Sequence, residues 1–278
     1  MKRTYERTRW LTFGTSIAGA LLAALASQAT SDDWRAWLAI VGAVVLAFGG
    51  LLTARFLGPD RASRWARARV ASEALKRAAF EFSVQASPFD DHVSRKAKLQ
   101  ERVGAIEKEV DDLLSEVVAA TPGSTPRTPW SPDDYVSGRV EKSADWYERA
   151  ASESQRAARS LRRVELAMAV VTTVLTATIG AVSKEWLVAH LAGFDWAALV
   201  AVLTTISGTV LAHIEASRYD YLVSSYRAAA RQLRLFTLSK PQQVAAPSSD
   251  WSDFVASCEG VIASETGSWV ARFGRAAQ

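Results

Sequence analysis

Three features of the 278-residue sequence predict an all-α integral membrane protein, with four transmembrane helices in two hairpins and long cytoplasmic helical extensions. Its apolar residues, ordinary in total at 49%, gather into four uncharged stretches at 10–31, 36–54, 166–183 and 196–214. Each is close to the roughly 20 residues a helix needs to cross hydrocarbon. The links within each pair, 32–35 and 184–195, are short enough to make two tight hairpins. Basic residues are distributed with a strong bias, which gives the hairpins a direction.

Continuous Ala/Leu/Val-rich stretches satisfy their own backbone hydrogen bonds in lipid as helices, and this is why each run is read as a span. Lys and Arg near span ends are retained in the cytoplasm. Of the 33 basic residues, only Arg35 and Lys184 fall in the outer links, which leaves 31 on the other side. Both termini of this multi-pass chain are therefore expected in the cytoplasm. Trp10 at the inner boundary and Trp34, Trp37, Trp186 and Trp196 at the outer one suit the interfacial preference of indoles. Ala24-Leu25-Ala26 before Ser27 imitates a signal-peptide cleavage site. The run is long for a signal sequence and a second span follows at once, so it reads as a retained span.

Outside the spans the apolar positions keep helical spacing. Trp65, Ala68, Ser72, Leu75, Ala79 and Phe82 continue outward from the second span. Ser87-Pro88 followed by Asp90 and Asp91 reads as a helix start, leading into the stripe Val103, Ile106, Val110, Leu113 and Val117. Residues 121–131 are rich in Pro, Ser and Thr and cannot hold a regular helix. They divide a first unit, 1–120, from a second, 132–278, each built as a hairpin with cytoplasmic helices, so the plan reads as a diverged internal duplication. Ser131-Pro132-Asp133-Asp134 starts another helix, which runs into the third span over about 75 Å at 1.5 Å per residue. The fourth span continues through Leu222, Tyr226, Ala229, Leu233 and Phe236 until Pro241 and Pro247, and a last helix carries Trp251, Phe254, Cys258, Val261 and Trp269.

The sequence excludes several function classes. A formal charge of +4 comes from basic residues interleaved with acids, which is not the clustered face of a nucleic-acid binder. His92, His190 and His213 lie in different segments and Cys258 is the single cysteine, so no spacing suits a metal. Phosphate loops and dinucleotide fingerprints are absent. Asp111-Asp112 and Asp133-Asp134 read as solvated or dipole-compensating groups rather than as an acid/base pair. No catalytic residue, cofactor or metal is expected, and the protein is read as a non-enzyme. The spans contain no Asp, Glu, Lys or Arg, which argues against a proton relay or ion-coupled transporter.

What the spans do hold is small and hydroxylated residues. Thr15, Gly19, Gly42 and Gly49 read as close helix–helix packing and invite a homo-oligomer. Thr172 and Thr176 share one helical face, as do Thr205, Thr209 and His213 at steps of four. These polar stripes read first as interhelical packing and second as the wall of a wet path.

On the helix that leads into the third span, Tyr135, Arg139, Trp146-Tyr147 and Ala150 give the pattern Tyr-x3-Arg-x6-Trp-Tyr-x2-Ala ahead of a membrane hairpin, with Tyr226, Ala230 and Leu233 after it. In this the second half resembles the SLATT family, bacterial SMODS- and SLOG-associated two-transmembrane effector domains. The first half matches in architecture. The resemblance implies an effector of a bacterial conflict system that oligomerises in the inner membrane and permeabilises it on a signal. That signal would be a nucleotide second messenger or a nucleotide-sensing partner protein. The alternative is a non-conducting scaffold whose cytoplasmic helices recruit a partner while the lipid-embedded spans anchor it.

Overall fold

The computed structural model describes residues 2–56, 59–114, 125–182, 194–240 and 246–274. Lys184, Trp186, His190, Val117, Pro241, the Trp269 side chain and part of the 121–131 linker, all used in the sequence reading, lie outside the described residues. Every described element is helical, and four helices are long and apolar enough to cross a membrane, as the hydropathy pattern predicts. The chain divides into a hairpin unit, 1–58 with 154–220, and a bundle unit, 59–153 with 221–278.

In the hairpin unit, α1 (Lys2–Gln28) and α2 (Asp32–Phe56) form the first hairpin. The turn between them is shorter than the sequence suggests, because Asp32 and Asp33 already occupy the first turn of α2, where acids oppose the helix dipole. Arg35 tightens it by donating to the Ala29 carbonyl at 3.0 Å and to Asp32 at 3.1 Å. Trp34 and Trp37 are well exposed beside this turn, as interfacial anchors require.

The second pair of spans comes from α7 (Lys142–Ala181) and α8 (Trp196–Ser217). Asp195 caps α8 by accepting from the Ala198 amide at 2.9 Å. The Gln28 side-chain amide pairs with the Asp195 backbone in both directions at 2.9 Å, tying the end of α1 to the start of α8. Ala20, Ile206, Val210 and Ile214 form the small apolar core of this unit, with Phe13, Ile17, Leu161, Met168 and Val202 around it.

The bundle unit contains α3 (Pro59–Ser83), α4 (Arg95–Glu109), α5 (Asp111–Leu114), α6 (Pro132–Tyr135), a π-helical turn at Val136–Glu141, the first turns of α7, α9 (Tyr219–Leu238, from Tyr221 in this unit) and α10 (Ser249–Gly274). Ser131, Pro132 and Asp134 make the expected start. The Ser131 hydroxyl accepts from the Asp134 amide while the Asp134 carboxylate accepts from the Ser131 amide, a reciprocal capping box with proline inside the first turn. From there helical backbone is unbroken to Ala181, interrupted only in type by the π-turn. Between α8 and α9, Arg218 takes a left-handed conformation with φ 48° at the end of α8.

Two local expectations differ. Ser87-Pro88 sits in a turn, not at a helix start. The helix begins at Arg95, where the Asp91 carboxylate accepts from the Val93 and Ser94 amides and the Ser94 hydroxyl. Asp91 satisfies amides at the entry that Ser87 is too distant to reach. On α3 the buried line runs through Ala66, Ala71, Ala78 and Phe80, and Ser72 is exposed. Small alanines permit close approach of a neighbouring helix, so the tightest face follows them rather than the bulkier side chains.

Candidate functional site

The bundle core is centred on the motif residues. Tyr135, Tyr147, Tyr226, Ala230 and Leu233 are all buried in it, with Ala150 packed against its edge, together with Phe80, Trp251, Val255 and Cys258. Trp146 lies at the border, 40% exposed, its ring meeting those of Tyr147 and Tyr226 edge-on at 5.1 and 5.6 Å. The eight motif positions thus converge on one unit although 98 residues of sequence separate Tyr135 from Leu233.

Arg139 is the polar centre. It lies on the π-helical turn, a local widening that is often found at functional positions. Its Nε and Nη2 donate to the two carboxylate oxygens of Glu259 at 2.9 and 2.8 Å, and the Tyr135 hydroxyl donates to the same carboxylate at 3.1 Å. Glu259 is almost fully enclosed, at 1% exposure of its side chain, and that of Arg139 is 11% exposed. Planar two-point pairing of this kind is the form in which an ion pair survives burial. The guanidinium also lies over the Phe80 ring, 4.4 Å from its centroid. Burial, with the Glu259 charge alongside, holds the Tyr135 phenol well above its ordinary pKa range, so it remains a donor.

Sequence reasoning found Arg139 and missed Glu259. A signal was present: Val255, Glu259, Ile262 and Thr266 fall at steps of four, three and four, which puts an acid on the buried arc of α10. Beside this pair opens a cavity of about 550 Å³, lined among others by Arg69, Lys76, Trp130, Lys142 and Trp146. Trp130 is set by its backbone, which donates to the Ser83 carbonyl at 3.1 Å, and by Gly138: a Cβ there would lie 2.7 Å from the indole.

The membrane candidates separate into two groups in the hairpin unit. Thr15, Gly19, Gly42 and Gly49 all meet at the α1–α2 contact. A Cβ on Gly49 would stand 2.5 Å from Thr15 Oγ1, one on Gly19 would stand 2.5 Å from Leu46, and one on Gly42 would stand 3.3 Å from Leu22. The small-residue face is therefore used inside the chain.

The threonines of α7 and α8 are largely on the outside. Thr176, Thr205 and Thr209 donate to the carbonyls of Thr172, Ala201 and Thr205, one turn back, at 2.8 to 2.9 Å. Hydroxyls satisfied in this way tolerate lipid, a second helix or water alike. His213, next in line with Thr205 and Thr209, is only 6% exposed and lies against the Trp10 and Phe13 rings at 4.7 and 4.5 Å. The structure places it in the α1–α8 contact, apart from the exposed threonines.

Comparison with protein families gives two matches. Residues 1–97 match a family described as a protein of unknown function, DUF4231. Residues 135–269 match SLATT_1, the SMODS and SLOG-associating 2TM effector domain 1. No curated protein and no solved structure matches the chain. The second match begins at Tyr135, takes in the Arg139–Glu259 pair and every other motif position, and contains the two spans of α7 and α8. Residues 135–269 therefore form a SLATT_1 domain, the SMODS and SLOG-associating 2TM effector domain 1.

Proposed function

We propose that this protein is an inner-membrane effector of a bacterial conflict system that assembles as a homo-oligomer and permeabilises the membrane when an upstream nucleotide or partner signal reaches its cytoplasmic helices. The observation that carries the reading is the state of the third span. Among the described residues, none in its apolar stretch is buried, whereas 17% and 22% of those in the apolar stretches of α1 and α8 are. A span with so few buried residues, bearing exposed hydroxyls at Thr173, Thr176 and Thr178, offers its surface to lipid and to other copies. With Gly42 and Gly49 committed within the first hairpin, α7 is the face on which copies meet.

Helix α7 also supplies a route for the signal. Its residues 142–153 belong to the bundle unit and 154–181 to the hairpin unit. One uninterrupted helix therefore carries Trp146 and Tyr147 at one end and a span at the other. The bias of basic residues puts both termini and the 121–131 linker in the cytoplasm. A two-half organisation, 1–120 and 132–278, is supported by the separation of the two family matches, which leave 98–134 between them.

The test is purified full-length protein in dye-loaded liposomes, with its oligomeric state measured in the same lipid. Dye release upon addition of the activating signal, from a multimeric particle, is the expected result. A strictly monomeric particle, or a multimer that recruits a partner and never releases dye, would overturn the pore reading in favour of a scaffold.

A further inference from the structure

We infer that the cavity beside the Arg139–Glu259 pair is a binding site for a nucleotide, with Trp130 and Trp146 as stacking surfaces for the base and Lys142, Lys76 and Arg69 as contacts for the phosphates. It rests on the reading that the bundle unit receives the upstream signal, and it names where.

The cavity lies wholly within the bundle unit, and its volume of about 550 Å³ falls inside the range of small-molecule sites, ~300–1,000 Å³. Its wall joins two chemistries. One is aromatic. Trp130 is fixed against Gly138 and against Phe80, whose ring it meets edge-on at 5.4 Å. Trp146 is exposed to 40%, and it touches Tyr147 and Tyr226 at interplanar angles of 72° and 65°, not as a parallel stack. A large indole in contact with water on the rim of a cavity is the arrangement by which proteins capture a planar base, at roughly 1–3 kcal/mol per stack.

The other chemistry is cationic. Arg139 is neutralised by Glu259 at hydrogen-bonding distance, so it serves as scaffold. Arg69 is ion-paired with Glu265 at 3.8 Å and lies over the Trp65 ring, so it adds positive field to the wall, and Lys76 is held to Glu73 at 2.9 Å in a pair that remains accessible to solvent. Lys142 has no side-chain hydrogen bond or ion pair among the described residues. It sits one helical turn before Trp146, the i to i+4 spacing that places an ammonium and an indole on one face. An anion without a ring would use only the lysines, and an uncharged aromatic only the indoles. A nucleotide uses both.

The experiment is equilibrium dialysis of the full-length protein in nanodiscs against ATP, GTP, cyclic di-AMP and cyclic di-GMP, with inorganic pyrophosphate as a base-free competitor. At least one nucleotide should bind once per chain. Lys142→Glu and Trp146→Leu should each weaken binding about tenfold, Trp146→Phe should keep it, and Lys96→Glu, exposed on α4 away from the cavity, should leave it unchanged. Retention by Trp146→Phe guards against loss through misfolding. The site is refuted if no nucleotide binds at millimolar concentration, if Lys142→Glu and Trp146→Leu bind like the parent, or if pyrophosphate displaces the nucleotide as well as the nucleotide itself does. Dye release from liposomes of the same preparation separates this site from the pore reading. Binding without release overturns the pore and keeps the site. Signal-dependent release without nucleotide binding overturns the site and keeps the pore.

Discussion

Arg139, on the only π-helical turn among the described residues, closes a two-point ion pair on Glu259 across 120 residues of sequence, and the Tyr135 hydroxyl completes it. Removing one partner of such a pair strands a buried charge, a loss of about 3–5 kcal/mol, whereas removing both leaves an apolar gap that can be filled. Glu259→Leu alone is therefore expected to destabilise the bundle by about 3 kcal/mol, and Arg139→Met with Glu259→Leu to recover most of that loss. Thermal denaturation of the four-member cycle checks it. Additive losses would mean that the two side chains do not depend on each other.

The parts of this protein that were legible in the sequence are those fixed by local chemistry. Four uncharged runs gave four spans, and Ser131-Pro132-Asp133-Asp134 gave its capping box, because each signal is complete within a few residues. The motif at Tyr135, Arg139 and Trp146-Tyr147 pointed to the unit that matters but not to what Arg139 binds. Its partner lies far along the chain on α10, where Glu259 is marked only by its phase among apolar neighbours. Glycine spacing announced a close contact at Gly42 and Gly49 without saying with whom. The answer, Thr15 and Gly19 of the preceding helix, depends on how one hairpin closes. The π-turn and the cavity beside it arise from three-dimensional packing and leave no periodic trace.

Gly49 and Gly50 are neighbours with opposite surroundings. A side chain on Gly49 would meet Thr15 at 2.5 Å, but one on Gly50 meets nothing within 4 Å. Gly49→Val is expected to weaken the α1–α2 hairpin by roughly 1–3 kcal/mol, the usual cost of overpacking, and Gly50→Val to be near neutral. Unfolding in mixed detergent, followed by circular dichroism, gives the comparison. Equal effects would show that the hairpin is not packed through this face.

Cys258 is fully buried in the bundle, and burial together with the adjacent Glu259 charge pushes its thiol up to about 12. The thiolate is the reactive form, so the folded protein should resist maleimide at pH 8. Denaturant should expose the thiol to complete labelling. Rapid labelling of the native protein would mean that α10 opens or packs differently.

That silence makes Cys258 a convenient background for mapping sidedness. Thr128→Cys lies in an exposed, described part of the 121–131 linker and Asp33→Cys in the exposed first turn of α2. With 31 of 33 basic residues on one side, an impermeant thiol reagent applied to intact cells is expected to reach Asp33→Cys and not Thr128→Cys. The opposite pattern would invert the protein in the membrane and remove the bundle from the cytoplasm.

The hardest question concerns the threonines of α8. Thr205 and Thr209 stack one turn apart and each donates to its own helix, which leaves the hydroxyl oxygens as acceptors for a neighbour. As packing contacts they contribute about 0.6–2 kcal/mol each, so replacing them with valine should loosen the assembly. As the wall of a wet path they do something different, because valine keeps the volume and removes the groups that hold water in a narrow channel. His213 is covered by Trp10 and Phe13 and belongs to the first role, so His213→Phe is expected to alter stability rather than conductance. Thr205→Val with Thr209→Val is expected to cut dye release sharply while oligomer size and expression stay near the parent values. If release survives, or falls only as the oligomer comes apart, the α8 hydroxyls serve packing, and any conducting path must be sought along the exposed threonines of α7.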